Sequence, residues 1–321
     1  MKRLFLLIPT LFAIACCTAS GPRSVDAPVK IPLADPFILL YDGVYYAYGT
    51  GAENGIEVWT SCNLVSWKRA EGGARDGLAL YRGDVWGDKW FWAPEVYRLK
   101  DKFYMYFTAE EHICVATSDS PLGPFVQREK APMIPGERCI DNTLFIDDDG
   151  RAYMYFDKFN DGLNIWVVEM EDDYVTMKKG TMRPCIHVSQ AWEEVWPRVN
   201  EGCFVIRQNG TYYMTYSANS YESPFYGIGC ATADSPLGPW TKYDHNPLLQ
   251  NPGELVGVGH SAMFRDKAGN LKVVFHAHKS KDSIHPREMY ISDVRFRLQQ
   301  GRSLMEIAPE YATPRIAESI Q

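Results

Sequence analysis

The 321-residue sequence lacks the features that mark several protein classes. Its 33 Lys and Arg are outnumbered by 40 Asp and Glu, so there is no basic excess with which to bind nucleic-acid phosphates. Gly (25) and Pro (20) stand near background, which excludes a collagenous or low-complexity chain. Helical periodicity is weak, and beyond the N-terminal region no stretch is apolar for the ~18 residues that a membrane span needs.

Cysteine is also sparse beyond the N-terminal region. Six of the eight cysteines remain there, widely scattered and without a Cys-x-x-Cys pair, so they give no zinc signature. An exported chain could pair them, but ~300 residues can bury enough apolar surface without disulfides. We therefore predict mostly reduced, buried cysteines at Cys62, Cys114, Cys139, Cys185, Cys203 and Cys230.

The N-terminus reads as a targeting segment. Two basic residues precede an apolar run over 4–15, which is too short to span a bilayer and typical of a secretory signal. Small residues then precede Cys16, and this resembles a bacterial lipoprotein signal, whose cleavage leaves the cysteine as the lipidated first residue. We expect a signal over 1–15, a tether over 16–30 and a periplasmic or outer-membrane lipoprotein, with plain secretion as the alternative.

The remainder of the chain is repetitive. ATSDSPLGPF at 116–125 returns as ATADSPLGPW at 231–240. A turn followed by an alternating aromatic strand, which is the signature of a β-hairpin, occurs five times, at 41–50, 99–109, 148–157, 207–218 and 266–277. Repeats of ~40–60 residues with about four strands are typical of β-propeller blades. The sequence therefore predicts an all-β fold, a five-bladed β-propeller in a single ring over 31–321, rather than an irregular β-sandwich.

A short strand before each hairpin begins with a distinctive residue. These anchors are separated by 59, 47, 60 and 59 residues, and they are Asp35, Pro94, Asp141, Glu201 and His260. Because the innermost strands of a propeller run along its axis, we expect the anchors to meet at one end of the channel. Three carboxylates and a histidine would then share one small volume. Like charges packed together raise one another's pKa and destabilise the fold, a cost that is typical of functional sites.

These strands carry a family resemblance. ADPF, WAPE, IDNTLFIDDDG, NEG with NGTYYMTYS, and GHSAMF occur in order, one per predicted blade. In this order and spacing they resemble glycoside hydrolase family 43, whose members are five-bladed propellers that remove pentoses from plant polysaccharides. The resemblance covers nearly all of the chain after the signal. Cys203 and Asn142 depart from it, since proline is usual at both positions.

The resemblance implies three catalytic carboxyls. Asp35 matches the general base, Glu201 the general acid and Asp141 the aspartate that tunes the pKa of the acid and orients it. Glycoside cleavage independently needs one protonated and one ionised carboxyl on opposite faces of the sugar, ~6.5–9.5 Å apart in inverting enzymes. Since the family is inverting, we expect Asp35 to activate water and Glu201 to protonate the leaving oxygen.

Other residues are candidates for binding. His260 matches a channel histidine that often helps to hold calcium through water, or it is hydrogen-bonded without metal. Arg287 resembles an arginine that contacts the sugar, although an edge-strand cation is as good a reading. Trp92 would stack on the sugar or fill the gap between blades. Phe37 follows Asp35 by two, so strand alternation predicts that it forms part of the pocket wall.

Further aromatic and histidine side chains carry weaker hypotheses. Four tryptophans between strands could line the entrance: Trp86, Trp90, Trp192 and Trp196. His276 and His278 share one strand face, but without a third ligand nearby in sequence they do not predict a zinc site.

Together these features predict an exo-acting, inverting hydrolase that releases α-L-arabinofuranose or β-D-xylose and needs no cofactor for its chemistry. The partner would be a plant cell-wall polysaccharide or oligosaccharide, with membrane contact only through the lipid anchor. An endo-acting arabinanase or xylanase of the same fold and a non-catalytic carbohydrate-binding propeller remain alternatives. A fructan-cleaving propeller does not fit, because ADPFI lacks its Asn-Asp-Pro-Asn-Gly motif.

Overall fold

The computed structural model describes residues 29–195, 198–299 and 301–317, and most of them lie in strands and turns. The helices in these ranges are three short 3-10 turns, η1 (Arg75–Gly77), η2 (Arg82–Asp84) and η3 (Ala191–Glu193). None of the described helices is long and apolar enough to cross a membrane. The predicted signal and nearly all of the tether fall outside the described residues.

Blade 1 joins the two ends of the described chain. Its sheet has the order β1-β2-β4-β5-β22, with β1 (Ala34–Tyr41), β2 (Val44–Thr50), β4 (Val58–Ser61), β5 (Ser66–Arg69) and β22 (Arg315–Ile316). The last strand, β22, pairs in parallel with the outermost hairpin strand, β5. A small ribbon beside this blade pairs β3 (Gly55–Ile56) with β6 (Leu80–Tyr81).

The other blades follow in chain order. Blade 2 is a three-stranded sheet of β7 (Trp92–Leu99), β8 (Lys102–Ala109) and β9 (His112–Ser118). Blade 3 contains β10 (Cys139–Ile146), β11 (Ala152–Phe159), β12 (Leu163–Glu169) and β13 (Arg183–Ile186). Blade 4 contains β14 (Asn200–Gln208), β15 (Thr211–Ala218), β16 (Gly227–Ala233) and β17 (Thr241–Lys242). Blade 5 contains β18 (Gly259–Arg265), β19 (Leu271–Ala277), β20 (Glu288–Gln299) and β21 (Arg302–Ala312).

The blades form a closed ring. Each first strand contacts the first strand of the next blade, from β1 through β7, β10, β14 and β18 back to β1. The seam between blades 5 and 1 is also tied by the Met289 N–H, which donates to the Ile31 carbonyl at 3.0 Å. The prediction of a five-bladed propeller in a single ring is confirmed.

Every innermost strand is interrupted by a β-bulge near its start. The register shifts by one extra residue at the same place in all five blades, between Ala34 and Phe37 in β1 and at the equivalent positions in the others. We call the last residue that pairs before the shift the first bulge position, and the residue after it the second bulge position. The second bulge position has a positive φ of 44–55° in every blade: Asp35, Ala93, Asp141, Gly202 and His260. The predicted anchors are therefore not all equivalent, because Pro94 lies one residue late and Glu201 one residue early.

Each bulge is held by a side chain from the neighbouring blade. In each blade, one residue of the second strand pairs with the first bulge position. The side chain of this residue lies within hydrogen-bond distance of the backbone N–H at the second bulge position of the next blade. We call these five side chains the latch residues. The contacts are Thr50 to Ala93 at 3.0 Å, Thr108 to Asp141 at 3.2 Å, Asp157 to Gly202 at 2.9 Å, Ser217 to His260 at 2.7 Å and His276 to Asp35 at 3.1 Å.

The repeated sequence segments serve the packing between blades. The two SPLGP segments follow the third strands of blades 2 and 4, and a tyrosine from the preceding blade donates to each. The Tyr48 hydroxyl donates to the Pro121 carbonyl and the Tyr155 hydroxyl to the Pro236 carbonyl, both at 2.6 Å. Part of the aromatic content thus belongs to the core of the ring. The six cysteines are free as expected, although Cys62 is exposed and Cys185 only partly buried.

Candidate active site

A cavity of about 910 Å³ lies where the innermost strands begin. Its wall includes six of the predicted site residues: Asp35, Trp92, Asp141, Glu201, His260 and Arg287. For Asp35, Asp141 and His260 the bulges explain the convergence, because the positive φ at the second bulge position turns these side chains out of the strand's normal alternation. Glu201 lies at the first bulge position of its strand, and Arg287 immediately precedes β20. The expectation that side chains from separate blades converge at one end of the channel is thus met.

Asp35 is bound by a full guanidinium fork. Arg287 Nη1 donates to its Oδ1 at 2.8 Å, and Nη2 lies 3.2 Å from its Oδ2. Burial alone would raise the pKa of Asp35, but Arg287 and the imidazoles of His260 and His276 hold it well below its usual range. Asp35 is therefore ionised at neutral pH. Arg287, predicted to contact the sugar, lines the cavity and binds this carboxylate.

His276 lies behind this ion pair, completely buried. Two donors face its ring, the Asp35 N–H at Nδ1 and Arg287 Nη1 at Nε2, at 3.1 and 3.2 Å. A neutral imidazole has one acceptor nitrogen and accepts from one of these two donors, whereas a protonated ring accepts from neither. Burial, together with the Arg287 charge, lowers the pKa of His276 to about 3, so the ring is neutral at working pH.

Glu201 lies at the first bulge position of blade 4, the position that Trp92 occupies in blade 2. The Tyr226 hydroxyl donates to its Oε1 at 2.8 Å. Burial and, to a smaller extent, the negative charge of Asp35 raise the pKa of Glu201 to about 7, although the Tyr226 hydrogen bond and the charge of Arg287 lower it. A substantial fraction of Glu201 is therefore protonated at neutral pH.

Asp141 stands beside a carboxyl group that the sequence analysis did not anticipate. Its pKa is raised well above the usual range by burial and by the charges of Glu201 and Asp35. Its carboxyl hydrogen-bonds the carboxyl of Asp157 in β11. Asp157 is completely buried, and this burial is the main reason why its pKa is also raised. Since ionised carboxylates cannot donate, this pair shares at least one proton at neutral pH.

His260 links the two carboxyl regions. Its Nδ1 lies 3.5 Å from Asp35 Oδ1 and 3.6 Å from Asp141 Oδ2. The ring passes close to Gly202, where an added Cβ would lie 2.8 Å from Nδ1, so this position requires glycine. The described residues contain no group of three or more His, Cys, Asp or Glu side chains that could hold a metal. Calcium at His260 therefore stays a prediction, and no chemical step is derived through it.

Of the two aromatic residues predicted to contact the sugar, Trp92 lies in the cavity wall and Phe37 does not. Trp92 lines the cavity and stacks on Trp90, with ring centroids 5.7 Å apart and planes 16° apart. Phe37 was predicted wrongly: it is not part of the described cavity wall but packs in the core against Tyr97 and Phe204. The bulge between Ala34 and Phe37 breaks the two-residue alternation on which that prediction rested.

The remaining tryptophans and histidines have other contacts. Trp86 packs on His112, and Trp192 on Tyr216. Trp196 lies outside the described residues. His278 and His276 do not act as a pair, because His278 Nε2 lies 2.7 Å from the Tyr221 carbonyl oxygen.

Sequence reasoning missed three residues that contact the catalytic candidates: Asp157, His276 in its contact with Asp35, and Tyr226. Two of them are latch residues, and the five hairpins could have revealed them, because aligning the second strands places Asp157 and His276 in one column with hydroxyl residues. Tyr226 lies in the loop before β16 and carries no comparable signal.

Comparison with known proteins accounts for this combination of ring and carboxyls. The sequence model of Glycosyl hydrolases family 43 matches residues 26–299. The chain belongs to glycoside hydrolase family 43. The solved structure of an endo-1,4-beta-xylanase from Bacteroides thetaiotaomicron is 45% identical with a TM-score of 0.84, covering 90% of this chain and 98% of that one.

Curated relatives of this family 43 chain are more distant. An arabinoxylan arabinofuranohydrolase of Bacillus subtilis is 30% identical over 291 residues, which cover 76% of this chain and 55% of that enzyme. The chain thus spans about half of that longer relative. A beta-D-galactofuranosidase of Aspergillus niger is 23% identical and covers 84% of this chain and 81% of the enzyme.

The arrangement in this glycoside hydrolase has the two protonation states that glycoside cleavage requires. The cavity wall includes an ionised carboxylate, Asp35, which suits a base acting on water. It also includes carboxyls that retain protons near neutral pH, with Glu201 at a pKa suited to a general acid. Trp90 and Trp92 supply apolar faces on the same cavity wall.

Proposed function

We propose that this glycoside hydrolase is an exo-acting, inverting enzyme that releases α-L-arabinofuranose or β-D-xylose from plant cell-wall polysaccharides or oligosaccharides. Asp35 is the general base, Glu201 the general acid and Asp141 the carboxyl that tunes the acid. The observation that carries the proposal is the asymmetry in pKa between Asp35 and Glu201, on one cavity wall.

The catalytic roles and the sugar are tested together. Hydrolysis of para-nitrophenyl α-L-arabinofuranoside, β-D-xyloside and β-D-galactofuranoside would rank the sugars. Proton NMR of the first-formed product would give its stereochemistry. We expect turnover of a pentoside with inversion at the anomeric carbon. Retention would contradict the role of Asp35 as a base acting on water, and no turnover of any glycoside or polymer would favour a binding protein.

An endo-acting xylanase is the second candidate, since the solved relative with 45% identity bears that description. The product pattern from arabinoxylan and from linear xylan discriminates between the two. Monosaccharide as the sole early product supports exo action, whereas a ladder of oligosaccharides with a rapid fall in viscosity supports endo action.

We further propose that the chain is exported and held at a bacterial membrane through lipid on Cys16. The support is the basic start, the apolar run over 4–15 and the cysteine that follows it. In the source bacterium, Cys16→Ser should move the protein from the membrane to the soluble fraction. An unchanged distribution would contradict the anchor.

A further inference from the structure

Asp157 differs from the other latch residues in kind. Three of those are hydroxyl residues, Thr50, Thr108 and Ser217, and the fourth, His276, is a neutral imidazole. A hydroxyl oxygen is thus sufficient to accept the bulge N–H in other blades. Burying a carboxyl at 0% exposure is costly unless it is neutralised and hydrogen-bonded. The carboxyl in blade 3 therefore needs an explanation beyond the latch.

The two oxygens of Asp157 face different partners. Oδ2 accepts from the Gly202 N–H at 2.9 Å, one peptide bond from Glu201. Oδ1 is buried, and no N–H or hydroxyl group of the described residues donates to it. In the paired strands Asp157 lies opposite Ile140, the residue before Asp141, and the carboxyls of Asp157 and Asp141 hydrogen-bond each other. This bond requires a proton on one of the two carboxyls, and that proton satisfies both groups. The charge of Glu201 also raises the pKa of Asp157, and Asp157 in turn raises the pKa of the nearby Cys203.

We propose that Asp157 is a positioning residue that joins the backbone beside the general acid Glu201 to the carboxyl of Asp141 through one buried side chain. Because the Asp157 side chain is bonded at both ends, Glu201 and Asp141 keep a fixed distance and orientation while Glu201 protonates the leaving oxygen. This inference rests on the proposed function, because it assigns Asp157 a part in the acid step of that reaction.

Two substitutions separate the latch from the link to Asp141. D157T copies blades 1 and 2, keeping an oxygen for the Gly202 N–H but removing the second carboxyl oxygen. D157N keeps an acceptor for Gly202 and offers an amide N–H to Asp141, so it imitates a protonated carboxyl. The readout is kcat on a glycoside with an activated leaving group, 2,4-dinitrophenol, against one with a poor leaving group, a natural disaccharide or methyl glycoside. General-acid help is needed only for the second.

We expect D157T to slow the poor-leaving-group substrate by about 10- to 100-fold and the dinitrophenyl glycoside by less than about 3-fold, which is within the contribution of acid catalysis. D157N should recover most of the lost rate. The matched control is T50V, which removes the latch on Ala93 at a seam without a carboxyl pair and should change both substrates by the same factor.

Either of two results with D157T would overturn the role of Asp157: loss of the same factor on both substrates, or turnover of the poor-leaving-group substrate at the unmodified rate. Loss of activity in D157N equal to that in D157T would also contradict the link, because the amide preserves it. No turnover of either glycoside by the unmodified chain would contradict the proposed function itself, and the role of Asp157 with it.

Discussion

Two seams of the ring use the same backbone device and reach opposite protonation states. At the seam of blades 5 and 1, His276 faces the N–H of Asp35, whose carboxylate is bound by Arg287. At the seam of blades 3 and 4, the carboxylate of Asp157 holds the N–H beside Glu201, and no cation lies within salt-bridge distance of Glu201 among the described residues.

The difference shows that the fold supplies positions and the local charges supply function. All five seams have the bulge and the latch, so these cannot by themselves create an acid or a base. A guanidinium fork keeps Asp35 ionised, whereas burial and the crowding of carboxyls, with no cation paired to them among the described residues, keep protons on the others. Substitutions that alter these neighbouring charges should reduce the difference in pKa between Asp35 and Glu201.

The largest expected effect comes from removing the base. Asp35→Asn should lower kcat by about 10²–10⁴-fold on every glycoside, because general-base assistance is lost whatever the leaving group. Steady-state kinetics on activated and poor-leaving-group substrates would check this, with circular dichroism as a control for folding. An Asn variant within a few-fold of the unmodified rate would remove Asp35 from the mechanism.

Removing the guanidinium of Arg287 should change the protonation of the carboxyls at both seams. In Arg287→Met the pKa of Asp35 should rise, and so should that of Glu201, since the guanidinium lowers both. Both limbs of the kcat/KM profile should therefore move to higher pH. Arg287→Lys keeps a charge without the planar fork and should move the limbs less. Fixed limbs in Arg287→Met would show that the ion pair does not set the state of Asp35.

A smaller effect is expected at the acid side. Tyr226 donates to Glu201 and lowers its pKa, so Tyr226→Phe should move the alkaline limb of kcat/KM upward from about 7. A single hydrogen bond gives a shift of less than about one pH unit. The acid limb, which belongs to Asp35, should hardly move, and a downward shift of the alkaline limb would contradict the assignment.

The smallest effect on catalysis is expected at Glu95, a buried carboxyl in β7 that is not part of the described cavity wall. Burial raises its pKa to about 8. Between its usual ~4.3 and 8 the unfolded chain ionises while the folded one does not, so stability falls as pH rises through this window. Glu95→Gln should raise Tm at pH 8 by a few degrees and leave kcat unchanged. Equal Tm at pH 8 would contradict a neutral Glu95.

The repeats and motifs predicted the ring, the number of blades and the convergence of Asp35, Asp141, Glu201 and His260. Alternation could not predict the bulges, because an extra residue changes which face a side chain takes without leaving a pattern in hydrophobicity. Phe37 was placed wrongly for that reason. The contact of Arg287 with Asp35 joins the two ends of the propeller and depends on ring closure, which no local pattern reports.

The central claim is that Glu201 holds the proton that is delivered to the leaving oxygen. It is tested most directly by the pH dependence of kcat/KM for the unmodified chain and for Glu201→Gln, measured on a methyl glycoside, whose poor leaving group needs general-acid help. We predict an alkaline limb with an apparent pKa of about 7 in the unmodified chain and its absence in the variant. The same alkaline limb in both proteins would contradict the account.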